Sequence, residues 1–116
     1  MIIYKVCSKA IWEEIRQLTS WNGSPHDLSD GFIHFSTAAQ ARGTAAKYFA
    51  RFDDLIIAAI DCSLLGTELR WEAARDGALF PHLYTSLPAT AVLWTKPLPC
   101  GGNGLHVFPD DFGLVP

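Results

Sequence analysis

Three short segments of this sequence carry polar side chains two residues apart, and these side chains are the best candidates for chemistry. In the first segment, residues 30–40, His34 and Ser36 lie between apolar residues. Side chains alternate along a strand, so a strand here would place His34 and Ser36 on the same face. An imidazole and a hydroxyl side by side can fix a polar ligand. The alternative is that His34 is a half-buried core histidine with a single hydrogen bond.

A helix is predicted directly after this strand. Thr37 and Gln40 have the spacing of a capping box, in which each side chain accepts a hydrogen bond from a backbone N–H at the helix start. Such a cap fixes the exit of the strand and therefore gives His34 and Ser36 a rigid support. We count Thr37, with Ser36, among the candidate ligand-binding residues.

The second segment, residues 69–72, predicts a strand with two apolar residues on one face and two charged residues on the other. Leu69 and Trp71 are expected to face the core, and Arg70 and Glu72 to face away from it. The carboxylate of Glu72 is the candidate catalytic group, with His34 as the second. The alternative is that Arg70 and Glu72 are solvated surface charges.

The third segment, residues 80–84, contains Pro81, which marks an edge or a strand start. Here His82 and Tyr84 share the face opposite Leu83. The alternative is that Tyr84 is a rim residue whose hydroxyl lies in water. Together the three segments predict one cleft that presents imidazole, carboxylate, hydroxyl and phenol groups to a ligand. The predicted lining residues are His34, Ser36, Glu72, His82 and Tyr84.

Length and composition predict a single domain over residues 1–116 with a sizeable core. The chain has 116 residues, of which 49% are hydrophobic and 18% charged, as in compact globular proteins. The formal net charge is −3, and no basic run is present that could follow a phosphate backbone. Nucleic-acid binding is therefore disfavoured, and a small-molecule or nucleotide ligand is favoured.

The sequence indicates a cytoplasmic protein without a membrane span or a bound metal. The start of the chain lacks a secretory pattern, and the longest apolar run, residues 55–60, is too short to cross a bilayer. Three widely spaced cysteines suit reduced thiols that serve in packing. No Cys-x-x-Cys, His-x-His or His-Glu-x-x-His motif predicts a metal site, although a site assembled from His34, His82 and Glu72 stays open.

The element pattern predicts an α+β fold, with a small mixed, strongly twisted sheet of about five to seven strands and two main helices. The first helix follows an N-cap at Ser8, and the second covers residues 38–50 with Ala41, Ala45 and Tyr48 toward the core. Residues 55–60 are apolar on both faces, which is typical of a central strand. Further strands are predicted at residues 2–6 and 91–96, with a possible edge strand at 105–108.

A polar connection precedes the first candidate segment. Residues 22–31 carry His26, Asp27 and Asp30, together with the turn-forming Asn22, Gly23 and Pro25. We predict that these residues form a loop, which either closes over the cleft as a lid or only connects two elements.

These motifs resemble those of a bacterial family of unknown function, DUF952, over almost the whole chain. The resemblance is carried by the order and spacing of several motifs: Ile3-Tyr4-Lys5 before a tryptophan-containing helix, residues 30–40, Arg70-Trp71-Glu72, residues 80–84 and Ala91-Val92. The family has no established activity. Its fold is similar to that of the ADP-ribosyltransferases, in particular the tRNA 2′-phosphotransferase branch, in which a histidine-bearing strand precedes a helix.

This similarity implies that the domain binds NAD or a related nucleotide and transfers ADP-ribose. Glu72 would then stabilise the oxocarbenium-like charge, and His34 and Ser36 would hold ribose or phosphate oxygens. Tyr84 or Trp71 would stack against a ring. The sequence departs from the pattern at the first strand, where Lys5-Val6-Cys7 stands in place of the usual His-Gly-Thr. The acidic net charge also argues against a tRNA substrate.

Two other classes of function are compatible with the same residues. The domain could be a noncatalytic module that binds a small ligand or a protein in the His/Glu/Tyr-lined cleft. It could also present a partner surface through exposed aromatic residues among Trp21, Trp94 and Phe112. A hydrolase built from Ser36, His82 and Glu72 is less consistent with the sequence, because no Gly-x-Ser-x-Gly elbow surrounds the serine.

Overall fold

The computed structural model describes residues 1–110 and residue 112, and within them the chain forms three α-helices and eight strands. The helices are α1 (Lys9–Ile15), α2 (Pro25–Asp30) and α3 (Ala38–Tyr48). The strands are β1 (Ile2–Ser8), β2 (Ser20–Trp21), β3 (Ile33–His34), β4 (Leu55–Asp61), β5 (Leu69–Ala73), β6 (Leu79–Leu83), β7 (Leu87–Pro88) and β8 (Val92–Leu98). Short 3₁₀ turns occupy Cys62–Leu64, Gly66–Glu68 and Ala89–Ala91.

The α+β class is confirmed, with the strands arranged in three small sheets instead of one mixed sheet. The sheets have the orders β1-β4-β8, β2-β7 and β3-β6-β5, and the strand pairs within them are antiparallel. The paired strands contain two to seven residues. We refer to β1-β4-β8 as the central sheet and to β3-β6-β5 as the polar sheet.

The central sheet forms the core because its middle strand is apolar on both faces, as the sequence predicts. In β4, Leu55, Ile57 and Ala59 pack on one side with Ala41 and Ala45 of α3. The alternate residues Ile56, Ala58 and Ile60 pack on the other side with Ile15 of α1. The two cores therefore correspond to the two faces of one strand, which explains why no polar residue interrupts residues 55–60.

Helix α3 starts at the predicted cap and ends earlier than predicted. Thr37 Oγ1 accepts from the Gln40 backbone N–H at 3.3 Å, and Gln40 Oε1 accepts from the Thr37 N–H at 3.1 Å. The predicted capping box is thus confirmed. The prediction that Tyr48 packs in the core is wrong, because the helix ends there and the Tyr48 side chain is exposed. The chain then turns through Arg51, whose φ of 66° lies in the left-handed region.

The polar sheet is joined to the central sheet through the segment that follows β3. His34 pairs with His82 of β6, and the backbone N–H of Phe35 donates to Pro81 O. At the next residue the chain changes partner, because Ser36 exchanges two backbone hydrogen bonds with Tyr4 of β1. The histidine-bearing segment therefore belongs to both sheets within four residues.

The predicted loop at residues 22–31 contains helix α2, so that prediction is wrong. Ser24 and Asp27 form a second capping box, Pro25 occupies the first turn, and the helix ends at Gly31 with a φ of 88°. Proline at the helix start and a left-handed glycine at its end are strong local signals. The helix is only six residues long, so hydrophobic periodicity could not reveal it.

The prediction that Trp21, Trp94 and Phe112 present an exposed partner surface is wrong for Trp21 and Phe112, which are buried, and Trp94 is half-buried against the core. The predicted edge strand at residues 105–108 is reduced to a bridge between Cys100 and His106. Cys7, Cys62 and Cys100 are free thiols, and burial raises the pKa of Cys7 to about 12, consistent with a packing role. Within the described residues, no helix is both long enough and apolar enough to cross a membrane.

Candidate functional site

The polar sheet brings the three predicted segments together on one face. Arg70 of β5 and His34 of β3 each lie opposite His82 of β6 in the antiparallel register. The His34 and His82 rings are 5.5 Å apart between centroids. Because alternate residues of a strand share a face, Glu72 and Tyr84 lie on this side as well. We call this surface the polar face.

Glu72 is held in place by two side chains from the neighbouring strand and its continuation. Tyr84 donates its hydroxyl to Glu72 Oε1 at 2.6 Å, and His82 Nδ1 lies 2.9 Å from the same oxygen. The hydrogen bond from Tyr84, followed by that from His82, lowers the pKa of Glu72. The same bond raises the pKa of Tyr84, because it favours the protonated phenol. Glu72 is therefore an ionised carboxylate at neutral pH with a fixed orientation.

Arg70 adds a positive charge beside this pair. Its guanidinium carbon lies 4.6 Å from the centre of the Tyr84 ring, in a cation–π arrangement. The alternating sequence of β5 thus places Arg70 over the Tyr84 ring and Glu72 at the Tyr84 hydroxyl. A ligand bound here would contact a carboxylate, a phenol and a guanidinium on the same face of the polar sheet.

His34 is oriented by the carboxylate of Asp27, a residue of the loop predicted at residues 22–31. Its Nδ1 lies 2.7 Å from Asp27 Oδ1, and its backbone N–H donates to the same oxygen at 3.1 Å. Asp27 is 1% exposed. Burial by itself would raise the pKa of Asp27. The hydrogen bond from His34, the charge of Lys5 and the Ser24 N–H overcome that effect and lower the pKa well below its usual range. Asp27 therefore acts as an ionised acceptor that sets the orientation of the imidazole.

Lys5 completes this buried network from the central sheet. Its Nζ lies 3.0 Å from each carboxylate oxygen of Asp27 and donates to His34 O at 2.9 Å. Burial lowers the pKa of Lys5, and the charge of Asp27 opposes that shift. The first strand therefore contributes a buried lysine that pairs with Asp27. Lys5 therefore positions His34 rather than a ligand.

Phe32 forms the aromatic part of the polar face. Its ring stacks on His82 at 4.1 Å and lies 4.6 Å from the His34 ring and 5.2 Å from the Tyr84 ring. Beside Phe32 and Tyr84 is an open cavity of about 230 Å³. Its remaining lining includes Asn22, Thr85 and Ser86. The cavity thus combines two aromatic rings with amide and hydroxyl groups.

Three predicted site residues lie away from the polar face. Ser36 is buried and its Oγ is 2.9 Å from Thr44 Oγ1 of α3. The prediction that it points together with His34 is wrong, because the chain changes from β6 to β1 between them. Thr37 uses its hydroxyl to cap α3. Trp71 lies opposite Pro81, on the other face of β5 from Arg70 and Glu72.

One group of described residues has the geometry of metal ligands. The side-chain ligand atoms of His26, Asp30 and His34 lie within 4.8 Å of one another. The combination left open by the sequence, His34 with His82 and Glu72, does not form such a group. The sequence signal for the observed group is the four-residue spacing of His26, Asp30 and His34, which the assignment of residues 22–31 to a loop concealed.

Comparison with known proteins identifies relatives of the same size. The profile of the family described as "Protein of unknown function (DUF952)" matches residues 6–95. The crystal structure of protein CC0527 from Caulobacter crescentus is 40% identical, with a TM-score of 0.87, and the match covers 92% of this chain and 94% of that chain. The solution NMR structure of CC0527 is 39% identical, with a TM-score of 0.84, and the match covers 98% of both chains. Among curated proteins, none matches the chain.

Proposed function

Since the chain belongs to the DUF952 family, whose description assigns no activity, we propose a function from the geometry of the polar face. The domain binds a ribose-bearing nucleotide there, with NAD as the first candidate, and transfers ADP-ribose from it. The observation that carries this proposal is the ionised Glu72 carboxylate, which Tyr84 and His82 fix through a single oxygen, Oε1. The second oxygen, Oε2, is the atom that we assign to the ribose.

A fixed carboxylate suits the chemistry of this transfer. When the bond between ribose C1′ and the nicotinamide nitrogen breaks, the bonding electrons leave with nicotinamide and positive charge develops on the ribose. A preorganised negative charge stabilises that state more than the ground state, and it does not have to reorient during the reaction. Glu72 has this property because Tyr84 and His82 bond one of its oxygens, Oε1, and so fix its orientation.

His34 is the candidate base for the acceptor. Asp27 holds its Nδ1, and its Nε2 lies 3.0 Å from Asp30 Oδ2. An attacking hydroxyl or amine takes the place of Asp30 beside Nε2 and passes its proton to that atom. The acceptor atom then bonds to C1′ as its proton passes to His34. The same buried carboxylate stabilises the imidazolium that results.

The size of the cavity limits what it encloses. Sites that bury a drug-sized ligand measure roughly 300–1,000 Å³, whereas the cavity beside Phe32 and Tyr84 measures about 230 Å³. It therefore accommodates one ring, such as nicotinamide, while the rest of a dinucleotide lies across the open polar face. Phe32 and Tyr84 provide the aromatic surface for that ring.

A noncatalytic ligand-binding module is the second candidate, and one observation favours it. Lys5 is buried in an ion pair with Asp27, so the first strand lacks the ligand contact that the transferase resemblance implies. In this alternative the same polar face orients a small ligand without reacting with it. His34, Glu72 and Tyr84 would then all contribute to affinity.

The experiment that separates the two is incubation of the purified protein with labelled NAD and cell extract. The transferase proposal expects release of nicotinamide and transfer of label to an acceptor. Binding is measured in parallel by thermal shift, since a ligand at about 100 times its dissociation constant stabilises a fold by roughly 2.7 kcal/mol. No nicotinamide release, no labelled product and no NAD binding at millimolar concentration would overturn the transferase proposal in favour of the binding module.

A further inference from the structure

The side chains beside the polar face make up a compact group of nitrogen and oxygen donors. His26 Nε2 and His34 Nε2 lie 3.6 Å and 3.0 Å from one oxygen, Asp30 Oδ2. The two imidazole rings stack at 4.6 Å with an angle of 20° between their planes. Helix α2 supplies His26 and Asp30 one turn apart, and β3 supplies His34 directly after the helix cap. The three donors therefore come from a short, capped segment with a defined geometry.

The hydrogen bonds of His34 determine which of its nitrogens can bind a metal. Asp27 Oδ1 already accepts from Lys5 Nζ and from the His34 backbone N–H. The hydrogen between this carboxylate and the imidazole is therefore carried by Nδ1 of His34. In the neutral imidazole, Nε2 then carries a lone pair, and it faces the carboxylate oxygen Asp30 Oδ2 at 3.0 Å. Two acceptors at this distance require a proton or a cation between them.

We propose that His26, Asp30 and His34 bind a divalent zinc ion, with Asp27 as the outer carboxylate that orients His34. Two imidazoles and one carboxylate are an established ligand set for zinc, and three protein ligands leave at least one coordination position open. A metal-bound histidine usually donates its other ring N–H to a carboxylate or carbonyl, which is the arrangement of His34 and Asp27. The site does not include Glu72, but it uses His34 Nε2, the atom proposed above to take the proton of the acceptor, so a bound zinc ion would exclude that role. Zinc binding itself does not depend on the proposed transfer of ADP-ribose.

The distances are close to those that zinc requires. Ligand atoms about 2.1 Å from a tetrahedral zinc ion lie about 3.4 Å from one another. The Nε2 atoms of the histidines lie 3.0 Å and 3.6 Å from Asp30 Oδ2, and all three atoms lie within 4.8 Å of one another. Because the two rings are stacked, the His26 ring has to turn out of the stack so that its Nε2 lone pair points at the same ion, and its 65% exposed side chain has room to turn.

The local charge also favours a cation. The positive charge of Lys5 is paired with Asp27, and among the described residues Asp30 forms its ion pairs with the two histidines. Zinc would take the place of the proton between His34 and Asp30 and would supply the positive charge beside that carboxylate. Its open coordination position would face solvent next to the polar face, because the His34 ring borders both.

The test uses the full chain without a histidine tag, after dialysis against a chelator. Calorimetry measures Zn²⁺ binding, and Co²⁺ serves as a spectroscopic substitute whose visible absorption reports ligand number and geometry. His26→Ala and Asp30→Asn change exposed side chains, so both variants are expected to fold. The matched control is His106→Gln, which removes a half-buried histidine bonded to Phe52 O outside the proposed site.

The expected result is saturable binding of one Zn²⁺ by the wild-type protein and by the His106→Gln variant. His26→Ala and Asp30→Asn should weaken it by at least about tenfold, the lower end of the loss seen when only an outer partner of a ligand is removed. In histidine ring NMR spectra, Zn²⁺ should shift the signals of His26 and His34 while leaving that of His106 in place. Absence of saturable binding, or binding that the two variants leave unchanged, would overturn the proposal. NAD turnover plays no part in either outcome.

Discussion

At the scale of single residues, the function of this face depends on which polar atoms are already engaged within the fold. Both hydrogen bonds to Glu72 end on Oε1, so the protein fixes the carboxylate through one oxygen. Asp27 is fully engaged, by Lys5, His34 and Ser24, and is buried. The two carboxylates therefore have different roles. Glu72 keeps its second oxygen for a ligand, whereas Asp27 positions the side chain of His34.

Glu72→Gln should separate catalysis from binding. The amide keeps the shape of the side chain, so folding and NAD affinity should change little, whereas the charge that stabilises the transition state is lost. We expect turnover in the labelled NAD assay to fall by a factor on the order of 10²–10³. The control is Glu68→Gln, which changes an exposed glutamate just before β5. Equal turnover of the Glu72→Gln variant and the wild type would exclude Glu72 from the reaction.

Asp27→Asn should destabilise the protein strongly. The substitution leaves the ammonium group of Lys5 buried without its counter-charge, and breaking a buried pair in this way costs about 3–5 kcal/mol. Urea unfolding followed by circular dichroism measures the loss. The exposed pair of Glu13 and Arg16 is the reference, since Glu13→Gln should change the free energy of unfolding by less than about 0.5 kcal/mol. A similar small change for Asp27→Asn would contradict the structural role given to the Lys5 pair.

At the scale of elements, local chemistry was sufficient to predict some features and insufficient for others. The cap of α3 could be predicted because Thr37 and Gln40 satisfy each other within one turn. The position of Ser36 could not, because its side chain is directed by the pairing with Tyr4, more than thirty residues away along the chain. Helix α2 had local signals in Ser24 and Gly31, but six residues give too little periodicity to distinguish a helix from a loop. Asp27 was missed because its role depends on contacts with two other elements: it bonds Lys5 of β1 and His34 of β3.

Thr37→Ala should destabilise the helix that follows the histidine-bearing strand. It removes the side-chain acceptor of the capping box, which is worth about 0.5–2 kcal/mol. Thr37→Ser is the matched control, because serine keeps the hydroxyl that accepts the Gln40 N–H. Thermal unfolding should therefore show a lower midpoint for alanine and a near-native midpoint for serine. Equal midpoints for the two variants would mean that the hydroxyl makes no contribution.

At the scale of the whole molecule, one buried ion pair ties the two larger sheets together. Lys5 projects from β1 of the central sheet to Asp27 of α2 and to the backbone of His34 in β3. The histidine of the polar face thus has its position set by the first strand of the chain. Hydrophobic contacts also join the two sheets, because Ile3 of β1 packs in one core cluster with Ile33 of β3 and Leu83 of β6. The charge network adds a connection between the sheets that is sensitive to pH.

The stability of the protein should decrease as the solution becomes acidic. The fold lowers the pKa of Asp27, whereas in the unfolded chain this carboxyl has the ordinary pKa of about 3.9. As the pH falls through that ordinary value, the unfolded chain therefore binds more protons than the folded protein. The stabilisation is therefore fully present above that pH and is lost as the pH falls toward the folded value. Glu72 contributes with the same sign, since its pKa is also lowered. The pKa of Lys5 is also lowered, so this residue makes the protein more stable as the pH rises in the alkaline range. The loss of stability in acid is therefore due to the carboxylates.

Urea unfolding between about pH 5 and pH 2 measures the free energy of unfolding, and the Glu72→Gln variant removes the contribution of Glu72. If this variant loses no stability across that range, Asp27 does not have the lowered pKa on which the coupling between the sheets depends.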